Sequence, residues 1–387
     1  MQPKSPHYLF IPRSEEYQDL YEKCIALNDI FTANLGGVKT HRDHFVIGID
    51  KRSLVQRIRA FIDLTLDDEF VRASFELKDT GNWKLSKARR GMQNMDIEDY
   101  IQPILYRPFD KQYMFYHDSV VDRSRREVVR HMLYENVALA AMRQVALDES
   151  YTHFLVTDCM VDNRAFLSTK GIIQQFPLYC YPDADNQDLF SRHESGERVP
   201  NIAPKLTKAL ESSYKKLPRP EEIFYYIYAV LYSNAYRKKY AEFLKTDFPR
   251  VPFPSDYKLF QKLADKGEQL VELHLLESKK LGKPIARCEG TGDMSVAKVT
   301  YSEEQERVYI NRNKYFSGVA REVWEYHIGG YQVAEKWLKD RKGRILSSEE
   351  VSHYARVLTA IAETIEIQAS LHEVFEKVQT SVLEINL

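Results

Sequence analysis

Residues 106–144 change local pattern twice, and that limits the folds open to the chain. They begin YRPFDKQYMFY, continue DRSRREVVRHML and end NVALAAMRQ. Arg107 precedes Pro108, and a residue before proline is steered away from the helical region, so the run opens extended or in a turn. The aromatic residues that follow suit a strand. Ser124, with Glu127 three residues later, predicts a capping box and a short helix, with Val128, Val129, Met132 and Leu133 on one apolar face. A second strand follows from residue 136. On this spacing Arg125 and Arg126 fall in the first helical turn and Arg130 one turn on. Cations there oppose the helix dipole. Either an anion such as a phosphate docks on free N–H groups and guanidiniums, or this is a solvated arginine-rich surface helix.

The rest of the chain continues the mixed pattern. Ser14 is placed to cap a helix over residues 15–30, with Tyr17, Leu20, Tyr21, Cys24 and Leu27 on its buried face. Gly36-Gly37 is a turn, residues 45–49 have strand character, and residues 51–63 and 67–77 have helical character. The basic segment 82–92 has Trp83 as an anchor and adds to a positive footprint. Strands are expected within 152–171 and 176–182, with a turn at 158–163 and a polar loop at 183–200. Residues 201–278 are helical, and their tyrosines at helical spacing are core residues; Arg237-Lys238-Lys239 is a solvated face. Gly290–Asp293 is a plain turn, because no βαβ unit surrounds it. Residues 296–316 form a hairpin. A Gly-Gly turn and a short helix with Trp337 inward follow, then a long amphipathic helix from Ser347 whose apolar side packs on the helical block. The fold class is α+β: mixed and helix-rich, with a central β-containing recognition domain, a helical block and a long C-terminal helix. The expected divisions are 1–35 (helical connector), 36–200 (recognition region), 201–280 (helical block), 281–345 (hairpin and helix) and 346–387 (C-terminal helix).

Composition bears on partners. The formal net charge is −1, which counts against a uniformly basic nucleic-acid binder but not against one with segregated charge. Segregation is present: residues 123–144 hold five Arg and two Glu, whereas residues 346–387 hold seven Glu against Arg356 and Lys377. No apolar run reaches membrane-spanning length, and the N-terminus lacks a signal-peptide layout. Cys24, Cys159, Cys180 and Cys288 are far apart, which fits reduced thiols in a cytoplasmic protein. His41 and His44 flank Arg-Asp on one loop without a third ligand, so no metal site is assigned.

YRPFDKQY, RREVVRHML and the strand ending MRQ resemble the C-terminal target-recognition region of type ISP restriction–modification enzymes and related adenine-N6 DNA methyltransferases. Gly37, Thr40, Asp43 and His44-Phe45 fall near the family's Gly-x-x-Thr-x-x-Asp-x-x-Phe loop, with the phenylalanine offset. The VTD…DNRAFLS segment, the helical block and residues 324–344 extend the likeness over nearly the whole chain. The resemblance implies sequence-specific recognition of double-stranded DNA. It also implies that methyl transfer belongs to a methyltransferase module outside this sequence, which would bind the S-adenosylmethionine. The chain contains neither a Gly-rich loop for that cofactor after a strand, nor an Asn/Asp-Pro-Pro-aromatic motif, nor a Walker A motor sequence. It reads as the specificity end, a fragment or a split-gene product, with no catalytic residue of its own.

Within that frame, Arg123, Arg125, Arg126 and Arg130 are expected on the DNA backbone, followed by Lys39, Thr40 and Arg42, then Arg164 and Arg143. Two rivals stand beside it. One is an enzyme with an unrecognised site using Asp158, Asp162, His153 or His131. The other is a scaffold that binds only protein through its long C-terminal helix.

Overall fold

The computed structural model describes residues 17–146, 148–182 and 198–385. Ser14 and most of the loop expected at 183–200 lie outside these residues. Two hydrophobic cores organise the rest.

The smaller core is drawn almost wholly from residues 38–133, with Met160 added. Helix Lys51–Ile62 starts where the Asp50 carboxylate accepts the Ser53 N–H at 2.7 Å. Leu54, Val55, Ile58 and Phe61 form its buried stripe, the spacing an amphipathic helix requires. Short helices Asp68–Ser74 and Leu85–Gly91 close the same core. They cover a four-stranded sheet in the order Ile47–Gly48, Asp110–Phe115, Ile101–Arg107, Met160–Val161, the last pair parallel. The aromatic run of the sequence is therefore a hairpin turning at Pro108-Phe109.

The larger core joins a second sheet to the helical block. Strands Leu35–Gly36, Ile173–Pro177, Ala138–Met142 and Phe154–Thr157 lie antiparallel in that order. The central strand reads Ala-Leu-Ala-Ala-Met and is buried throughout, small enough to sit beneath helices. Helices Pro220–Tyr232 and Tyr257–His274 pack so closely that a Cβ at Gly267 would lie 1.8 Å from the Tyr225 carbonyl oxygen. Helix Ser348–Gln379 runs along both, started by the reciprocal capping box of Ser347 and Glu350. Its buried side holds Tyr354, Leu358, Ile361, Leu371, Phe375 and Val378, as the periodicity requires; Val351 and Ile365 are only half-buried, and Thr364 turns inward between them. Strands Arg287–Gly290, Lys314–Ser317, Arg307–Tyr309 and Thr300–Ser302 form a separate antiparallel sheet.

The hairpin tip connects the cores. Phe109 adopts φ +59° and drops into the larger core, its ring centroid 5.6 Å from that of His274. His353 Nε2 lies 2.9 Å from the Phe109 carbonyl oxygen. Beside it, buried Arg341 donates to Asp110 at 2.8 Å and to Glu350 at 3.3 Å, and stacks 3.6 Å over the Trp337 ring.

Three local expectations are corrected. The helix over 15–30 is interrupted: Gln18–Glu22 and Leu27–Ile30 are helical, but Ile25–Ala26 pairs with Arg250–Val251, and Leu20 faces solvent. Residues 45–49 are not one strand. The Thr40 hydroxyl bonds to Asp43, and a single helical turn Asp43–Val46 follows before the strand Ile47–Gly48. Arg237 is no solvated face: its guanidinium lies 4.5 Å from the Phe154 ring and 4.6 Å from the Tyr232 ring, and Nε donates to the Leu231 carbonyl. The tyrosines of the block are core residues as expected, with Tyr226, Tyr228, Tyr232 and Tyr236 all fully buried.

Candidate nucleic-acid interface

Three segments distant in sequence are pinned side by side. The Val38 N–H donates to the Val161 carbonyl at 2.8 Å, and the Asn163 N–H returns to the Val38 carbonyl at 2.9 Å. One residue on, Lys39 pairs with Arg123: the Lys39 N–H donates to the Arg123 carbonyl at 3.2 Å, and the Arg123 N–H to the Lys39 carbonyl at 2.9 Å. Gly37 makes this approach possible. A Cβ there would lie 2.8 Å from the Val161 oxygen and 2.9 Å from the Asn163 Cα. Segments 37–41, 122–125 and 161–164 thus form one platform, held by backbone bonds that leave the side chains free to project.

Asp162 anchors the platform from below. Its Oδ1 accepts the Arg164 N–H at 2.9 Å and faces Arg107 Nη1 at 3.2 Å. Arg107 lies over the rings of Tyr106 and Tyr331, at 3.9 and 5.7 Å. Burial pushes the Asp162 carboxyl up to about 6; the neighbouring Asp43 charge adds to this and Arg107 opposes it.

Above the platform opens a cleft of about 780 Å³, lined in part by Lys39, Asp43, Tyr106, Gln112, Asn163, Arg164 and Asp340. Lys39 and Arg164 line it, and Arg123 lies on the segment bridged to Lys39, so three of the expected residues stand on the pinned segments. Arg123 and Arg164 are exposed and Lys39 is half-buried. Arg123 has only a loose ion pair, 4.0 Å to Asp122.

The other expected residues are placed differently. Thr40 and Arg42 are enclosed. The Thr40 hydroxyl bonds to Asp43, and Arg42 Nη1 donates to the Thr40 and Val120 carbonyls, both at 3.2 Å, while its guanidinium lies 3.9 Å from the Trp83 ring. They shape the loop that presents Lys39. The capping box at Ser124 is corrected. Arg125, at φ +58°, is the residue before helix Arg126–Val129, and no side chain caps it; the Ser124 carbonyl accepts the Tyr116 hydroxyl at 2.6 Å instead. Only four residues are α-helical before the chain tightens into the 3₁₀ turn Arg130–Met132, too few for a developed helix dipole. Arg126 is paired with Asp118. Arg125 is half-buried, with Nη2 3.5 Å from the position of a Cβ on Gly36. Arg130 is half-buried as well. Arg143 pairs with Asp247 of the helical block at 2.8 Å and is not on the platform.

Asp43, Gln112, Asn163 and Asp340 were not singled out as site residues by sequence reasoning. Asn163 had a local signal, since it precedes Arg164 in the Asp-Asn-Arg turn. Asp340 had none; it arrives from the end of helix Val333–Lys339.

The four residues of the rival enzyme reading do not converge. His131 Nδ1 accepts the Tyr181 N–H at 3.0 Å. His153 donates from Nε2 to the Leu167 carbonyl at 2.8 Å, and its burial lowers its pKa. Asp158 pairs at the surface with Lys111, 2.6 Å away, and Asp162 with Arg107. No two of the four share a hydrogen bond. Among the described residues no three His, Cys, Asp or Glu side chains are grouped so as to hold a metal ion. No helix among them is long and apolar enough to cross a membrane.

Fold and site together define an α+β module with a rim of outward cations beside a polar cleft, built on a scaffold of buried tyrosines. The chain belongs to the type ISP C-terminal specificity domain family, whose model matches residues 29–369. Solved structures share its fold, three of them as follows. One is the ATP-dependent type ISP restriction–modification enzyme LlaBIII bound to DNA, at TM-score 0.72 and 19% identity, covering 96% of this chain and 25% of that one. The second is a DrdV–DNA complex, at 0.73 and 22%, covering 95% and 40%. The third is a nuclease-deletion mutant of the type ISP enzyme LlaGI with a DNA substrate mimic, at 0.65 and 19%, covering 95% and 30%. The chain therefore spans well under half the length of each. No curated protein matches it.

Proposed function

We propose that this chain recognises a DNA target for a type ISP restriction–modification enzyme, gripping a duplex along the rim of Lys39, Arg123 and Arg164. The observation that carries the reading is that these three cations stand on three separate segments that backbone hydrogen bonds pin side by side. Phosphate contacts need charge held in register, and backbone pairing supplies that register. The DNA in the three neighbouring structures supports it. Methyl transfer belongs to a methyltransferase module of the same or a neighbouring polypeptide, and S-adenosylmethionine binds there.

Titration of a labelled duplex across a salt series tests this. Each phosphate neutralised should steepen the fall in affinity by about 0.9 log units per log unit of salt. Lys39→Glu with Arg123→Glu should weaken binding on unrelated duplexes alike and flatten the slope. Absence of duplex binding at low salt would favour the protein-scaffold reading. Calorimetric titration with S-adenosylmethionine should give no saturable heat; binding in the micromolar range would contradict the division of labour.

A further inference from the structure

We propose, resting on the DNA-recognition reading, that Asn163 is a specificity-determining residue whose side-chain amide reads an adenine in the major groove, while the rim cations hold the flanking phosphates.

Four observations converge on it. The backbone of Asn163 is fixed: its N–H is bonded to Val38, the next N–H is held by the Asp162 carboxylate at 2.9 Å, and Gly37 packs against it without room for a methyl group. A side chain on so rigid a turn presents its polar end with little positional freedom. Its amide, half-buried in the cleft wall, makes no hydrogen bond to any described residue. The other amide in the cleft, Gln112, is tied to Asp110 at 2.9 Å. An amide offers one acceptor and a pair of donors, which match the N6 amino group and N7 of adenine and gain little from a phosphate beyond what the rim cations already supply.

The cleft itself points the same way. Asp43 and Asp340 line it with Asn163, and Asp340 Oδ2 is buried with no hydrogen-bond partner. Carboxylates repel phosphate but accept from the exocyclic amino groups that adenine and cytosine present in the major groove. Lys39 and Arg164 line the same cleft as these acceptors, and Lys336 pairs with the other oxygen of Asp340, so groups for phosphate and groups for base amino hydrogens lie within reach of one duplex.

Selection of bound duplexes from a randomised library, using the 387-residue chain at low salt, tests the assignment. The wild type should enrich a motif containing adenine. Asn163→Ala should lose about 10- to 100-fold discrimination at one base pair, keep the rest of the motif and keep the salt slope. Asn163→Asp, nearly isosteric and so folding alike, should shift that position from adenine toward cytosine, because a carboxylate accepts from the cytosine N4 amino group. Retention of the full motif by both variants overturns the proposal. Salt-dependent binding of the wild type with no preferred motif overturns it too, while leaving the DNA reading intact. Failure of the wild type to bind any duplex overturns both.

Discussion

The two cores use polar side chains in opposite ways. In the larger one many interior polar groups are tyrosine hydroxyls, and several of them are delivered to backbone carbonyls. Tyr226 donates to Pro252 at 2.5 Å, Tyr236 to Arg250 at 2.7 Å and Tyr354 to Ala334 at 3.0 Å. In the smaller one arginines do this work. Arg57 gathers the carbonyls of His44, Phe45 and Ile47; Arg89, 1% exposed, donates to those of Phe61 and Leu66 and pairs with Asp68; Arg42 braces the platform loop. A guanidinium has five donors in one plane, so one residue can tie several loop carbonyls together where helices and sheets do not. The smaller core is made of short elements and loops, and it needs such ties. Positive charge there is consequently a poor guide to which cations face solvent. Arg42, Arg57 and Arg89 are spent on carbonyls, while Lys39, Arg123 and Arg164 remain outside.

The joint between the cores is where this contrast is most exposed to test. Arg341→Ala removes the guanidinium that meets Asp110 and Glu350 and leaves Asp110 buried without its charge partner. Loss of one member of a buried pair typically costs about 3–5 kcal/mol. Calorimetry should show a much lower melt, or two transitions as the cores uncouple; an unchanged single transition would mean that the joint rests on Phe109 and His353 alone.

Acid should act on the two sides with opposite signs. His274 in the larger core accepts from or donates to the Tyr228 hydroxyl at 2.6 Å and Thr364 at 2.9 Å, and burial depresses its pKa from 6.5 to about 3. Below pH 6.5 the unfolded chain takes up a proton that the folded chain refuses. Stability is therefore lost from there down to about pH 3, by about 1.4 kcal/mol per pH unit. Asp162 behaves in reverse. Its folded value of about 6 exceeds the usual 3.8, so the folded chain binds the extra proton and its contribution improves as pH falls through 6 toward 3.8. Asp162→Asn should abolish that gain and steepen the acid loss over this window; His274→Asn should make the loss shallower. Melts of both variants across pH 4–7 measure it, and identical pH profiles for the variants and the wild type would refute both assignments.

The rim should be nearly silent in stability. Lys39→Glu with Arg123→Glu alters side chains with no firm partner, and surface changes of this kind usually stay within about 0.5 kcal/mol. Affinity for DNA should nevertheless fall strongly. A lower melt with normal binding would move these residues from interface to scaffold. Smallest of all should be Lys238→Glu on the helical block. Lys238 is exposed, whereas its neighbours Arg237 and Lys239 are held by aromatic rings and, for Lys239, by Gln379. Neither melt nor binding should move.

Much of this architecture was legible in the chain. The strand after Pro108, the helices over 51–63 and 201–278, the inward Trp337 and the long helix from Ser347 all follow from patterns repeating over a few residues. The arginine-rich helix was partly misread. Ser-x-x-Glu is a genuine capping signature, but Tyr116 claims the Ser124 carbonyl and the helix starts after Arg125, in the left-handed region. That competing bond comes from the residue after strand Asp110–Phe115, and the helix's own sequence carries no trace of it.

Side-chain periodicity depends on residues near one another in the chain, and there the amino-acid order suffices. The direction of an arginine does not. Arg89 is buried because the carbonyls of Phe61 and Leu66 lie within reach. Arg164 is outside because Asp162 spends its carboxylate on the turn below. Asp340 reaches the cleft because Arg341 beside it is fastened to Asp110 across the joint. Arg89 and Arg341 are held by partners 23 to 231 positions away, and a guanidinium or carboxylate has the same local signature whether it meets a carbonyl, another charge or water. Chain order specified the elements and the stock of charge; packing between the two cores chose which charges were left facing out.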